Sequence, residues 1–243
     1  MKDTPGNTVP EFKSPEEERQ YWESRGLLAP GRRGTRGEIR PHREESIAGS
    51  PGTSFAETAY YQKEFIAVHL SDEDVRTVKF EECHFDDCSF VRCKFENCAF
   101  IDCKFDRCVL SAINPAGSRF LQPAFSRCKV IGFDWAKAGK LHGLDFSDGQ
   151  LDYSNFSSLQ LPRIRIVKCC VREASFTEMD MSDGIFTDTD FLGSTFFKTD
   201  LSRADFRRAK SYCIDVKNNV IKNARFSLPE VLSLLDGLNI VIE

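Results

Sequence analysis

The stretch FEECH FDDCS FVRCK FENCA FIDCK FDRCV, Phe80 to Val109, sets phenylalanine at every fifth position: Phe80, Phe85, Phe90, Phe95, Phe100 and Phe105. A period of five is neither the 3.6 of a helix nor the 2.0 of a strand, so no single straight element buries this stripe. A chain that turns a corner in every pentad does. The phase runs upstream through Val75, Leu70, Phe65 and Tyr60, and downstream through Leu110, Phe120, Phe125, Val130 and Trp135, with Pro115 as a misfit. It fails at Lys140, resumes one residue late at Phe146 and continues to Phe226, with a gap at Ser211 and Val216 as the following centre. Only Phe12, Phe55, Phe133 and Phe197 of the 21 phenylalanines fall off these centres.

Two positions before each centre lies a second periodic site: Cys83, Cys88, Cys93, Cys98, Cys103 and Cys108, and later Ala174, Thr189, Ser194, Thr199 and Ala204. Large centres alternating with small partners fill a narrow interior, while the three remaining positions of each pentad are polar and face water. The pattern predicts an all-β solenoid with a packed core. It also weighs against a zinc site, because consecutive members of a C-x₄-C run fall on successive sides of a coil and diverge. Cysteines 20 positions apart stack at about the strand spacing of 4.8 Å, close enough to raise a disulfide. Parallel side-chain vectors favour free, inward-packed thiols; a metal or redox module is the weaker reading.

Composition bounds the rest. With 37 acidic and 33 basic residues the net charge is −4, which marks no general affinity for nucleic acid. No apolar run reaches the length of a membrane span and the first residues do not form an export signal, so the expectation is a soluble, cytoplasmic protein. Four scattered histidines and the lack of a phosphate loop, HExxH or GxSxG motif predict no enzyme, no cofactor and no metal. Residues 1–54 read as a flexible arm, locally basic between Arg32 and Arg43, with one short helix from Ser14 to Gly26. The basic stretch fits contact with DNA or an acidic partner; a disordered extension is the simpler reading.

The pentads resemble the pentapeptide-repeat family, most closely at ADFRR (Ala204 to Arg208) and NARFS (Asn223 to Ser227). The resemblance implies a right-handed quadrilateral β-helix over 55–226, four pentads to a coil, about eight coils and roughly 40 Å long. The tail SYCIDVKNNVIKNARFSLPEVLSLLDGLNIVIE and the cysteine-rich pentads further resemble the members of that family that protect DNA gyrase, the albicidin-resistance type above all. That resemblance implies a DNA-mimicking homodimer that binds gyrase and relieves a gyrase-poison antibiotic without modifying it. No direct nucleic-acid or membrane partner is implied. A structural or interaction scaffold with another partner is the alternative.

Two surfaces are candidates for these roles. In the tail, Ser227 with Glu230 reads as a capping box, Pro229 falls in the first turn and Gly237 as terminator. Leu228, Val231, Leu232, Leu235 and Leu238 then form one apolar helix face, followed by a short strand from Ile240. Residues 227–243 are thus a cap on the last coil or a dimer interface. The second surface is acidic: Asp145, Asp148, Asp152, Glu173, Glu178, Asp180, Asp183, Asp188 and Asp190, with no Lys or Arg between Arg172 and Phe197. Outward carboxylates at regular spacing fit a phosphate-like array facing gyrase; a solvated face is the plainer reading. The phase breaks Ser111 to Ser118 and Ala136 to Asp145 are candidate contact loops or simple bulges.

Overall fold

The computed structural model describes residues 46–48, 55–238 and 240. The predicted helix at Ser14 to Gly26 and most of the arm lie outside the described residues, as does the predicted strand beyond Ile240. One part of the arm is a correction: Ser46–Ala48 is a strand, pairing Ile47 with Phe65, so the β-structure reaches back beyond Phe55.

From Tyr60 onward the chain is a parallel β-solenoid. Three-residue strands alternate with corners, most of them burying the middle residue and leaving the flanks partly exposed, and each pairs with the strand one coil away. Side I is centred on Tyr60, Phe80, Phe100, Phe120 and Leu141. Side II is centred on Phe65, Phe85, Phe105, Phe125, Phe146 and Ile166. Side III carries Leu70, Phe90, Leu110 and Val130, and side IV begins with Val75 and Phe95. Single parallel bridges continue the four sides, as far as Val220 on side I, Arg225 on side II, Lys210 on side III and Thr195 on side IV.

The coil rise is also a stacking distance for rings. On side II, Phe65, Phe85, Phe105 and Phe125 stack with centroids 4.7–4.8 Å apart and planes within 12°. At the N-terminal end Phe55, outside the predicted centres, lies edge-on to Phe80 at 4.8 Å and covers the first coil.

Most corners are turned by the residue two after the centre, in left-handed backbone conformation from Gln62 (φ 50°) to Asn223 (φ 60°), the 3₁₀ turn after Trp135 being an exception. Most of these are not glycine, at a cost of order 1–3 kcal/mol each. Coil-to-coil bonds offset that strain: the Asp102 N–H donates to Leu121 O (2.8 Å) and the Arg107 N–H to Ser126 O (3.0 Å).

The structure moves two features of the predicted phase. The extra residue sits in a 3₁₀ turn, Trp135–Lys137, and Leu141 is already back in register opposite Phe120. It follows two large rings at consecutive inward sites, Phe133 and Trp135, stacked at 4.0 Å. Near the end, Phe196 pairs with Ile214, so Ile214 and not the predicted Val216 is the centre that follows the gap at Ser211, and Tyr212 is buried two residues before it. At Pro115 there is no loop: the proline is buried as a centre, and Asn114 bridges Lys94 as in any other coil.

Candidate functional site

The tail folds as a 3₁₀ helix, Glu230–Leu238, against the last coil. Its predicted capping box does not form. Ser227 Oγ accepts from the Arg208 N–H (3.3 Å) and the Glu230 carboxylate from the Ser211 N–H (3.4 Å), so both polar groups serve the open solenoid end. Ser233 Oγ donates to Tyr212 O (3.3 Å) and Lys217 Nζ to Gly237 O (2.7 Å). Gly237 lies within the helix instead of ending it.

This geometry divides the predicted apolar face. Leu234, absent from the predicted row, is the residue buried on the solenoid, with Val231 and Leu235 half-buried beside it. Leu228, Leu232, Leu238 and Ile240 point to solvent, Leu228 at 77% exposure. A tighter helix with three residues per turn carries Val231 and Leu234 on one stripe and Leu232, Leu235 and Leu238 on another. The cap therefore uses one stripe and leaves Leu232 and Leu238 of the other exposed.

The acidic surface changes more. The coil register spreads the nine carboxylates over all four sides: Asp180 and Asp183 on side I, Asp145, Asp148 and Asp188 on side II, Asp152, Glu173 and Asp190 on side III, and Glu178 on side IV. Asp152 and Asp190 are buried, not outward. Gln150 Nε2 and the Arg172 N–H donate to Asp152 at 2.5 and 3.0 Å, and Arg172 pairs with Asp190 at 3.2 Å.

Most of the others meet a cation one coil on. Arg165 pairs with Asp145 (3.2 Å), Lys198 with Glu178 (3.4 Å), Arg203 with Asp183 (2.6 Å) and Arg208 with Asp188 (2.6 Å). The Arg203 and Arg208 guanidiniums hold the Asp183 and Asp188 carboxyls below the usual carboxylate range. A window without Lys or Arg in sequence is thus a ladder of mixed charge in space, and no side presents a continuous carboxylate stripe.

The inward cysteines do more than pack. The Cys83 thiol donates to Tyr60 O (3.5 Å), Cys88 to Phe65 O (3.3 Å), Cys103 to Phe80 O (3.4 Å) and Cys108 to Phe85 O (3.3 Å). Each serves the carbonyl of a centre on the preceding coil. Ser118 (2.6 Å to Phe95 O) and Thr189 (2.8 Å to Ile166 O) fill the same role. Burial pushes the Cys103 thiol up, and the neighbouring Cys128 thiol pushes Cys108 up to about 12. All ten cysteines are free, and among the described residues no cluster of His, Cys, Asp and Glu has the geometry of a metal site. No described helix is long and apolar enough to cross a membrane.

Sequence reasoning missed a further set. Tyr153, Leu192 and Phe197, 66%, 54% and 41% exposed, lie on the second half of the solenoid although none is a core centre. Only Phe197 carried a signal, as a phenylalanine out of phase.

The family model described as pentapeptide repeats matches residues 78–111 and 169–210 in eight copies. No curated protein sequence matches the chain. Among solved structures, QnrB1, a plasmid-mediated fluoroquinolone resistance protein, is similar at 19% identity over 82% of this chain and 99% of that chain, with a TM-score of 0.45. HetL from the cyanobacterium Nostoc sp. strain PCC 7120, a pentapeptide repeat protein involved in heterocyst differentiation regulation, is 9% identical over 70% of this chain and 87% of its own, with a TM-score of 0.34. The pentapeptide repeat protein Rfr23 from the cyanobacterium Cyanothece 51142 is 6% identical over 71% and 90%, with a TM-score of 0.24. None of these likenesses bears on what the chain binds.

Proposed function

We propose that this pentapeptide-repeat protein acts by binding and not by catalysis: as a homodimer it docks on DNA gyrase and protects the enzyme from a poison, in the manner of the albicidin-resistance type. The observation that carries the reading is the divided tail. Leu234 suffices to seat the cap, yet Leu228, Leu232, Leu238 and Ile240 remain exposed on the same short segment. A solenoid needs a cap to cover its last coil, but a cap does not need a second apolar stripe. An isologous contact between two tails buries that stripe against itself, and two rods joined at their ends span roughly 80 Å at the ~4.8 Å coil rise. The sequence of this tail is also what sets the chain apart from a generic repeat protein.

Mimicry of DNA in this reading comes from the regular rod and not from a phosphate-like field, because the sides are charge-balanced. Particular residues then carry recognition.

The decisive measurement is gyrase supercoiling with a poison, with and without the protein. Restored supercoiling is the expected result; no protection across albicidin-like and quinolone-like poisons removes the proposal. Pull-down with separate gyrase subunits distinguishes it from an interaction scaffold with another partner.

A further inference from the structure

From Leu151 onward three sides of the solenoid carry charged residues on their outward faces and side IV does not. Its outward residues are Asn155 and Ser157, Ser175 and Thr177, and Thr195 and Phe197 on three successive coils, and Cys213 pairs with Thr195 on the last. None of them is charged. Over the same coils side I carries Asp180, Asp200 and Lys222, side II Arg165, Asp205 and Arg207, and side III Asp152, Arg172 and Asp190. Charges flank side IV only at its corners: Glu178 pairs with Lys198 at 3.4 Å on one edge, and Glu173 lies over Gly193 on the other. The hydroxyls of the face bond among themselves, Ser157 Oγ with Ser175 Oγ at 2.9 Å and Ser175 Oγ with Thr177 Oγ1 at 3.3 Å. Covering them therefore costs less than covering unpaired hydroxyls.

This face runs into the tail. Phe196 pairs with Ile214, and the Lys198 N–H donates to Asn218 O (2.9 Å), so Phe197 lies one coil above Asp215. Asp215 is the residue on which Gly237 rests: a Cβ on Gly237 would lie 3.1 Å from Asp215 Oδ1, and Lys217 Nζ donates to Gly237 O (2.7 Å). The exposed Leu238 follows Gly237 directly. Val220, also exposed, stands on side I just past the same corner, its N–H bonded to Thr199 O (3.0 Å).

Area and charge identify the occupant. Among the described residues of the tail, Leu228, Leu232, Leu238 and Ile240 expose on the order of 400 Å², half of the ~800 Å² that each side of a stable interface buries. Phe197, Val220 and the uncharged face above them extend that surface without a break. A twofold contact sets a surface against itself, so charges near its axis meet their own copies. A face free of charge meets itself without that repulsion, and depletion of charge is the mark of an interface core. A basic partner would call for carboxylates instead.

We propose that side IV from Asn155 to Cys213, with the exposed side chains of the tail, forms one homodimer surface whose occupant is the same surface of a second copy. The inference rests on the homodimer of the proposed function and deepens it: the contact climbs one flank, so the two rods overlap along their last coils.

The test is the dimer dissociation constant of the full chain, by analytical ultracentrifugation, for the parent, Thr195→Asp, Phe197→Asp and Leu232→Asp. Thr187→Asp on side II is the control, and thermal melts establish that each variant folds. By symmetry each side IV substitution puts two like charges into the interface. The expected result is at least tenfold weaker dimerisation for Thr195→Asp and Phe197→Asp and no change for Thr187→Asp. Side IV variants that dimerise like the parent while Leu232→Asp is monomeric confine the interface to the tail, which overturns the inference and leaves the homodimer standing. Side IV variants that keep the dimer but lose gyrase binding give the face to gyrase and overturn it as well. A monomeric parent overturns both the inference and the homodimer.

Discussion

The two halves of the solenoid solve one geometric problem with different chemistry. Between Phe80 and Val109 the small inward site is cysteine in every pentad, and no corner among these residues closes with a turn hydrogen bond from that site's N–H to the centre carbonyl. After Leu151 the site is mixed, running Ser154, Leu159, Ile164, Cys169, Ala174, Met179 and Gly184 before Thr, Ser and Ala, and many corners do close: Ser194 N–H to Phe191 O at 2.9 Å, Ala204 to Leu201 at 3.1 Å, Ala209 to Phe206 at 3.0 Å. The left-handed corner residue is common to both, so the fold needs that conformation but neither one residue type at the inward site nor a particular turn bond. The halves differ outside as well. The second exposes Tyr153, Leu192 and Phe197; in the first, past the initial coil, no large apolar side chain is exposed.

The comparison breaks first in the core. Phe105 is stacked on both faces, 4.7 Å from Phe85 and from Phe125, so Phe105→Ala should cost about 3–5 kcal/mol in denaturant unfolding. Phe206, one coil from the capped end and tilted 38° to Phe186, should cost less when truncated. Equal losses would show that stacking adds nothing to burial.

The tail comes next. Leu232→Asp should convert dimer to monomer on light scattering with little change in melting, because Leu232 is 47% exposed while Leu234 seats the cap. A dimer of unchanged mass would move the interface elsewhere.

Donor chemistry at the inward site sharpens the contrast between the halves. Thr189→Val leaves Ile166 O without its 2.8 Å donor and should cost about 1–3 kcal/mol, whereas Cys103→Ser, which recreates the Ser118 arrangement, should cost less. In native thiol labelling only Cys170, half-buried, and Cys213, exposed, should react; all ten should react after denaturation. Fast labelling of Cys103 would contradict its buried, raised thiol.

The smallest effect is electrostatic. The Asp183 and Asp188 carboxyls are depressed in the folded state by Arg203 and Arg208, and Asp72 is depressed by Arg92. Stability from these pairs is present above the unfolded carboxyl value of about 3.9 and is lost as pH falls through the lower folded values. Melting temperature should therefore drop below pH 4 in both halves, and Arg208→Gln should flatten that drop slightly. Because the pairs are exposed, high salt should shrink the difference between parent and variant.

The sequence alone determined the solenoid. A hydrophobic period of five fits no straight element, so the centres from Tyr60 to Ile166 that pair across coils were legible apart from Leu141, including the stacks of Phe80, Phe85, Phe100 and Phe105. It also placed the cysteines inward, though not their bonds to the centre carbonyls. Tertiary structure decided what depends on residues 20 apart in sequence becoming neighbours. That spacing turned an acidic window into ion pairs, took Asp152 and Asp190 out of solvent, and set Glu173 over Gly193. It likewise chose Leu234 over Leu232 for the cap, because a 3₁₀ helix repeats every three residues and the α-helical spacing does not. A local pattern fixes which side of the chain faces inward; only the coil above it decides which outward charges are left unpaired.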